Sequence, residues 1–117
     1  MQRMKLLAVA TALAGLLSIG ASAADADLVK EGEKIFNTKK LGNCLACHAV
    51  NGKEISSPGS FGPKLQSLSA WPEQALYDKI YDPYTTNPIS AMPPFGRNGW
   101  LSDAQIHAVV AYLKTVN

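Results

Sequence analysis

The sequence predicts an all-α domain of three to four helices. Its two clearest periodic segments are helical and lie near the two ends of the chain. No segment of useful length alternates between apolar and polar residues as a half-buried strand would. With 117 residues, 47% of them hydrophobic and 17% charged, the composition is that of one small globular domain, which excludes repeat arrays and multidomain enzymes.

Residues 1–23 have the pattern of a cleaved signal peptide. Arg3 and Lys5 form a basic start, the uncharged apolar run 6–21 follows, and Ala21-Ser22-Ala23 is a small-x-small cleavage site. The alternative is an uncleaved membrane anchor, although the run is short and is interrupted by glycines. We expect residues 24–117 to form the mature domain, without a membrane span and in the periplasm.

The charge of the chain is small and comes from the predicted signal. The sequence has 11 basic and 9 acidic residues, a net charge of +2. Removal of Arg3 and Lys5 leaves nine of each, so the predicted mature domain is neutral. A neutral domain lacks the basic surplus of proteins that bind nucleic acids or anionic membranes, and we expect neither partner.

Three helices are predicted along the mature region. The first spans 27–38, with Leu28, Ile35 and Phe36 facing inward, and contains Gly32 at a cost of about 1 kcal/mol relative to Ala. A short helix starts at Pro72 and continues to residue 80.

The last helix has the clearest local signals. Ser102 followed by Gln105 predicts a capping box. The residues after it repeat with helical spacing, and they are Ile106, Val109, Val110 and Leu113. Residues 81–100, by contrast, contain four of the seven prolines and predict a stiff, functional loop.

Both cysteines and one of the two histidines lie within Cys44-Leu45-Ala46-Cys47-His48. This is the C-x-x-C-H pattern that attaches haem c. Thiols three residues apart on one turn can form thioethers with the two vinyl groups of a porphyrin, while His48 ligates the iron. The alternatives are a disulfide or redox Cys pair, which leaves His48 unexplained, and a zinc site, which requires about four ligands.

Met92 is the predicted second axial ligand, because the other two methionines lie in the predicted signal. Its thioether would give a His/Met iron with a raised reduction potential. The alternative is that Met92 only fills the core, with an open or His-filled iron site. His107 is the other histidine of the chain, and its position on the last helix is more typical of an ordinary surface or boundary residue.

Three further residues are candidates for contacts around the haem. The Pro63 carbonyl can accept a hydrogen bond from Nδ1 of His48, which would fix the tautomer of the ligand. Arg97 and Trp100 are candidate donors to the haem propionates. Each has an alternative: a simple Gly-Pro turn, a solvated arginine and a tryptophan in the core.

The chain resembles class I cytochrome c over residues 27–117. The resemblance rests on Gly32-x-x-x-Phe36, the C-x-x-C-H motif, Gly62-Pro63-x-Leu65, Met92 and a last helix with Tyr112. It implies an all-α class I cytochrome c fold around one covalently bound haem c. It also implies that the first and last helices cross closely, with Gly32 against Ala108, Val109 or Tyr112.

A narrower resemblance is to the SoxX family of sulfur-oxidising bacteria. The segments that carry it are 42–48 and 87–99, the latter reading Asn-Pro-Ile-Ser-Ala-Met-Pro-Pro-Phe-Gly-Arg-Asn-Gly. The resemblance implies an electron-accepting subunit of a heteromeric thiosulfotransferase. Its partners would be a SoxA-like c-type cytochrome in a heterodimer, a SoxYZ-like carrier and a downstream cytochrome acceptor.

Two other functions fit the same residues. One is a free periplasmic electron carrier, and the other is a ligand-binding haem with a vacant site. If both cysteines form thioethers, the chain has no thiol left to carry a sulfur substrate. Its own part in a sulfur reaction would then be electron transfer alone, with no catalytic residue of its own.

Overall fold

A computed structural model describes the backbone of residues 17–117 and the side chains of residues 25–117. Three helices form the fold: α1 (Leu17–Asn37), α2 (Glu73–Tyr81) and α3 (Asp103–Leu113). Single 3₁₀ turns at Cys44–Ala46, Leu68–Ala70 and Pro83–Thr85 interrupt the connections. Within residues 17–117 there is no strand, only an isolated parallel bridge between Val50 and Leu65, so the predicted all-α, class I cytochrome c-like fold is confirmed.

Helix α1 ends within one residue of its predicted end but begins ten residues earlier than predicted. The added turns contain several alanines, the strongest helix formers, and continue the helix backward from Asp27. The predicted signal peptide lies mostly outside the described residues, since residues 1–16 are not described. Over residues 17–117, no helix is long and apolar enough to cross a membrane.

The crossing of α1 and α3 is the tightest helix contact in the fold. A methyl group at Gly32 would lie 1.9 Å from the carbonyl oxygen of Ala108 and 2.9 Å from Cβ of Tyr112. The glycine therefore lets the two backbones touch, as the resemblance implied. One turn on, the rings of Phe36 and Tyr112 pack with centroids 5.4 Å apart.

The inward face of α1 was predicted correctly at two of three positions. Ile35 and Phe36 are fully buried, but the prediction for Leu28 was wrong, because 39% of its surface is exposed. Leu28 lies beyond the crossing, where it lines a shallow groove with Ala111 and His107 that water can enter.

Helix α3 confirms its local sequence signals. The Ser102 hydroxyl accepts from the Gln105 amide at 3.2 Å, and the Gln105 side chain accepts from the Ser102 amide at 2.8 Å. Its predicted apolar face is buried in full: Ile106, Val109, Val110 and Leu113.

Helix α2 begins one residue after Pro72, whose extended backbone makes it the residue before the first turn.

Candidate cofactor site

The five-residue motif Cys44–His48 forms a tight turn after the end of α1. Asn43 begins it in the left-handed region, at φ 49° and ψ 35°. The carbonyl of Cys44 then accepts from the amides of Cys47 at 3.1 Å and His48 at 2.9 Å. The two cysteines and the histidine therefore share one compact turn, as the proposed chemistry requires.

One large cavity of about 600 Å³ lies beside this turn. It is lined mainly by apolar side chains from all three helical regions, among them Phe36, Leu68, Ile80 and Val109. The five residues predicted from the sequence to bind a cofactor all line it: Cys44, Cys47, His48, Pro63 and Met92. The fold thus brings together side chains that are as far as 48 positions apart in the sequence.

The His48 imidazole is held in one orientation by the loop that faces it. Nδ1 donates to the carbonyl oxygen of Pro63 across 2.7 Å. A methyl group at Gly62 would lie 2.5 Å from Cε1 of the ring and 2.9 Å from Nε2. Gly62 therefore leaves the space that the ring occupies. Because the Pro63 carbonyl can only accept, the ring proton is on Nδ1. Nε2 then has the lone pair and can ligate a metal.

The same loop is fastened to the motif through its main chain. The amide of Gly62 donates to the Cys47 carbonyl at 2.8 Å, and the amide of Gly59 donates to the Leu45 carbonyl at 2.9 Å. A methyl group at Gly59 would lie 1.7 Å from the Ala46 carbonyl oxygen. Two glycines thus allow the loop to lie directly on the motif.

The two cysteines do not form a disulfide with each other. Burial raises the pKa of the Cys44 thiol to about 12, so this group stays protonated at neutral pH. In the part of the chain from residue 17 onward, no group of three or more His, Cys, Asp or Glu side chains is arranged to hold a metal ion.

Met92 lies in the proline-rich loop and is partly buried against the core. Its backbone is held by Ser90 in both directions. The Met92 amide donates to the Ser90 hydroxyl at 3.1 Å, and that hydroxyl donates to the Met92 carbonyl at 3.2 Å. Pro94, two residues on, is buried, so the loop is anchored on both sides of Met92.

The rest of this loop is anchored on Tyr81, at the end of α2. The Tyr81 carbonyl accepts from the amides of Gly96 at 3.2 Å and Arg97 at 3.0 Å. A methyl group at Gly96 would lie 2.1 Å from the Tyr81 ring. The predicted stiffness of residues 81–100 therefore comes from packing and hydrogen bonds as well as from proline.

Neither Arg97 nor Trp100 lines the cavity, and their predicted contacts with haem propionates stay predictions. Arg97 instead pairs with Asp82 at 3.4 Å on the surface. Trp100 is 58% exposed and packs edge-on against Phe95. His107 does not line the cavity either; its exposed ring lies 4.9 Å from that of Tyr77 and 3.4 Å from the Asp103 carboxylate.

Several cavity residues were not identified from the sequence. Trp71 and Phe61 contribute large rings, and the lining has two charged residues, Lys64 and Lys79. The Lys79 ammonium donates to the Thr86 hydroxyl at 2.8 Å. Trp71 stands directly before the helix-starting Pro72, but no local pattern shows that this position faces a cavity.

The residues present fit a haem group. The cavity volume lies within the range of about 300–1,000 Å³ that is usual for sites of ligands and cofactors. The two thiols, the oriented imidazole and the thioether open onto one apolar space. The lysines of the lining offer donors to carboxylates such as those of a porphyrin.

Comparison with known proteins assigns a family to most of the chain. The family described as cytochrome c oxidase, cbb3-type, subunit III matches residues 27–113. An uncharacterized lipoprotein of Aquifex aeolicus is 35% identical over 91 residues, covering 74% of this chain and 44% of the relative. Cytochrome c oxidase subunit 2 of Bacillus subtilis is 32% identical over 103 residues, covering 80% of this chain and 28% of the relative. The chain spans less than half the length of these relatives.

Proposed function

The chain belongs to the c-type cytochrome family described as cytochrome c oxidase, cbb3-type, subunit III, and from this premise we propose how it carries electrons. A domain of this family implies covalently bound haem c and haem-based electron transfer. When bound, the haem supplies a one-electron Fe(III)/Fe(II) couple. The single observation that carries the proposal is that Cys44, Cys47, His48 and Met92 all line one apolar cavity.

In this proposal Cys44 and Cys47 would attach the haem, and His48 and Met92 would ligate its iron. Pro63 orients His48 through the hydrogen bond to Nδ1 and leaves Nε2 free to ligate the iron. Met92 offers a soft thioether, which favours the reduced metal and raises the potential. Ser90 and the anchored loop keep Met92 in place, so little rearrangement accompanies electron transfer.

The chain's own residues limit its chemistry to electron transfer. The sequence contains two cysteines, and both are used for attachment in this assignment. No thiol then remains to form a persulfide or to carry a sulfur substrate. The chain would accept electrons and pass them on, and bond changes at a substrate would take place on another protein.

We propose further that the chain is a SoxX-type subunit of a thiosulfate-oxidising complex. The support is the segment around Met92, residues 87–99, together with residues 42–48, which resemble that family. The partners in this proposal are a SoxA-like c-type cytochrome, a SoxYZ-like carrier and a downstream cytochrome. The enzyme activity would be that of an L-cysteine S-thiosulfotransferase, with the sulfur chemistry on the partner subunit.

A location outside the cytoplasm is part of the proposal. The predicted export signal of residues 1–23 supports it, as does the description of one relative as a lipoprotein. Covalent attachment of haem c takes place outside the cytoplasm, which agrees with that location.

The ligand assignment is tested by the absorption of the oxidised, haem-loaded protein. We expect the weak near-infrared charge-transfer band of a sulfur–iron(III) bond, and its loss in Met92→Ala. Persistence of the band in Met92→Ala would refute Met92 as a ligand. Ala91→Gly serves as the control, since Ala91 also lines the cavity but offers no ligand atom.

The Sox assignment is tested by mixing the purified protein with a SoxA-like cytochrome and a SoxYZ-like carrier. We expect co-elution with the cytochrome in size-exclusion chromatography and haem reduction on addition of thiosulfate. Elution as a lone monomer, together with no thiosulfate-dependent reduction, would refute this assignment and leave the electron-transfer function intact.

A second candidate is a free electron carrier that serves a terminal oxidase. The observation that favours it is the match to a relative named cytochrome c oxidase subunit 2 and to a family named for an oxidase subunit. Reoxidation of the reduced protein by oxidase-containing membranes, with no response to thiosulfate and the Sox proteins, would select this candidate.

A further inference from the structure

The residue directly after α3 is a lysine whose ammonium group is directed at main-chain carbonyls. Lys114 Nζ donates to the carbonyl oxygen of Ser69 at 2.7 Å and also to that of Trp71. These two partners lie 45 and 43 positions away in the sequence. One side chain therefore joins α3 to a segment that is remote in the sequence.

The segment that Lys114 holds is one wall of the large cavity. Leu68 and Trp71 both line the cavity, and Ser69 lies between them. The segment folds as a single 3₁₀ turn that begins after Ser67, which has a left-handed φ of 59°. Such a short turn has few hydrogen bonds of its own, so its position depends on what it is tied to.

A second contact ties the same segment to the same end of α3. The Ser69 amide donates to the Val116 carbonyl at 3.0 Å. The side chain of Val116 is buried in the core, so the residue that accepts this hydrogen bond is held in place. Lys114 and Val116 together hold residues 69–71 against the C-terminal end of the chain.

The choice of partners by Lys114 is specific. Two carboxylates, Asp25 and Glu73, line the same shallow groove as Lys114. Within residues 17–117, however, Lys114 forms no ion pair, and its ammonium donates to the two carbonyls instead. Both hydrogen bonds of Lys114 therefore go to the main chain of one segment and tie that segment to the end of α3.

We propose that Lys114 is a positioning residue that keeps Trp71 in the wall of the cofactor cavity. Trp71 is half exposed, at 50%, so its own burial holds it less firmly than a core residue. In this proposal the ammonium group of Lys114 holds the backbone of Ser69 and Trp71 through its two hydrogen bonds, and so holds the indole ring of Trp71. The cavity then excludes water on this side, and exclusion of water is one determinant of a haem reduction potential.

The test compares Lys114→Met and Lys114→Arg with the haem-loaded parent protein. Lys114→Met keeps the long aliphatic stem but loses the donors, whereas Lys114→Arg keeps a cation with donors. Lys30→Met is the matched control, because Lys30 is an exposed residue of α1 that does not line the cavity. Hydrogen exchange, tryptophan emission and reduction potential are measured on all four proteins.

We expect the amides of Ser69 and Trp71 to exchange at least about tenfold faster in Lys114→Met, because both charge-assisted hydrogen bonds of Lys114 are lost. In a Trp100→Phe background, Trp71 is the one tryptophan left, and its emission should rise as the indole moves away from the quenching haem. The potential should shift to lower values, since water reaches the cavity. In Lys114→Arg and in Lys30→Met, hydrogen exchange, tryptophan emission and reduction potential should all stay close to those of the parent.

Two results would overturn the proposal. The first is exchange at Ser69 and Trp71 that is equal in Lys114→Met and the parent. The second is faster exchange to the same degree at Val109 and Val110 of α3, which would show a general loss of stability. The potential measurement rests on the proposed function, whereas the exchange measurement does not, so failure of one is distinguishable from failure of the other.

Discussion

The imidazole of His48 donates from Nδ1 to the carbonyl oxygen of Pro63 at 2.7 Å, and Gly62 provides the space for the ring. We predict that Gly62→Ala displaces the ring, because the new methyl group would lie 2.5 Å from Cε1. Overpacking of this kind costs about 1–3 kcal/mol of stability. Urea denaturation of the haem-loaded protein gives the loss, and NMR of the Nδ1 proton reports the hydrogen bond.

Ser60→Ala is the control for this prediction, because Ser60 is an exposed residue of the same loop that does not line the cavity. Equal stability and an unchanged Nδ1 proton resonance in Gly62→Ala would show that the loop adjusts without moving the ring.

The hold of Ser90 on Met92 leads to a second prediction. Ser90→Ala removes the hydroxyl that bonds the amide and the carbonyl of Met92. If Met92 ligates the iron as proposed, loss of the two hydrogen bonds, each worth about 1 kcal/mol, should make release of its sulfur at least about fivefold easier. Titration of the oxidised protein with imidazole, which competes for the iron, should show a correspondingly higher apparent affinity.

Ser56→Ala, in an exposed loop outside the cavity, should leave the titration unchanged. An imidazole affinity equal to that of the parent in Ser90→Ala would mean that the prolines and packing alone hold Met92.

The helix crossing gives a third prediction. Gly32→Ala places a methyl group 1.9 Å from the Ala108 carbonyl, which belongs to backbone and cannot rotate away. We expect a loss of about 3 kcal/mol, at the upper end for overpacking, and a lower melting temperature. Thermal denaturation followed by circular dichroism measures it. Glu31→Ala, an exposed neighbour on α1, should have little effect, and similar melting of the two variants would contradict the close crossing.

A fourth prediction concerns alkaline pH and the pair Tyr77–Asp103. The Tyr77 hydroxyl donates to the Asp103 carboxylate at 2.5 Å, and this bond raises the pKa of Tyr77 from 10.0 to about 12. Because the folded-state pKa is raised, the stabilisation is present in full below pH 10. It is lost as the pH rises from about 10 to about 12.

Urea denaturation of the parent and Tyr77→Phe at several pH values checks this sign. The parent should be the more stable protein at pH 8, and the difference should shrink above pH 10. A difference that is constant across this range would show that the hydroxyl contributes nothing through its ionisation. Tyr84→Phe, at an exposed tyrosine on another turn, is the control.

The elements that could be predicted are those whose signals are local. The capping box of Ser102 and Gln105 lies within four residues, and it placed the start of α3 correctly. The C-x-x-C-H motif is equally local, and the turn of Cys44–Ala46 follows from it. Short-range hydrogen bonds and helical spacing hold in nearly any fold, so the sequence alone reveals them.

The elements that were missed or wrong depend on long-range partners. The ion pair of Arg97 with Asp82, for example, forms only when the loop folds back on α2. Trp71 and Lys114 are more than 40 positions apart, and neither has a local pattern that marks it. Their roles become visible only once the fold places α3 beside the cavity wall.

The loop that lies on the cysteine motif also constrains the order of biogenesis. The Gly62 amide reaches back to Cys47 across 15 residues, a contact that a free chain closes in well under a microsecond per attempt. Once the chain has folded, this loop lies directly on the turn with the two cysteines, both of which are partly buried. If Cys44 and Cys47 form the proposed thioethers, the backbone around them is more open to an attaching enzyme before this loop closes than after it.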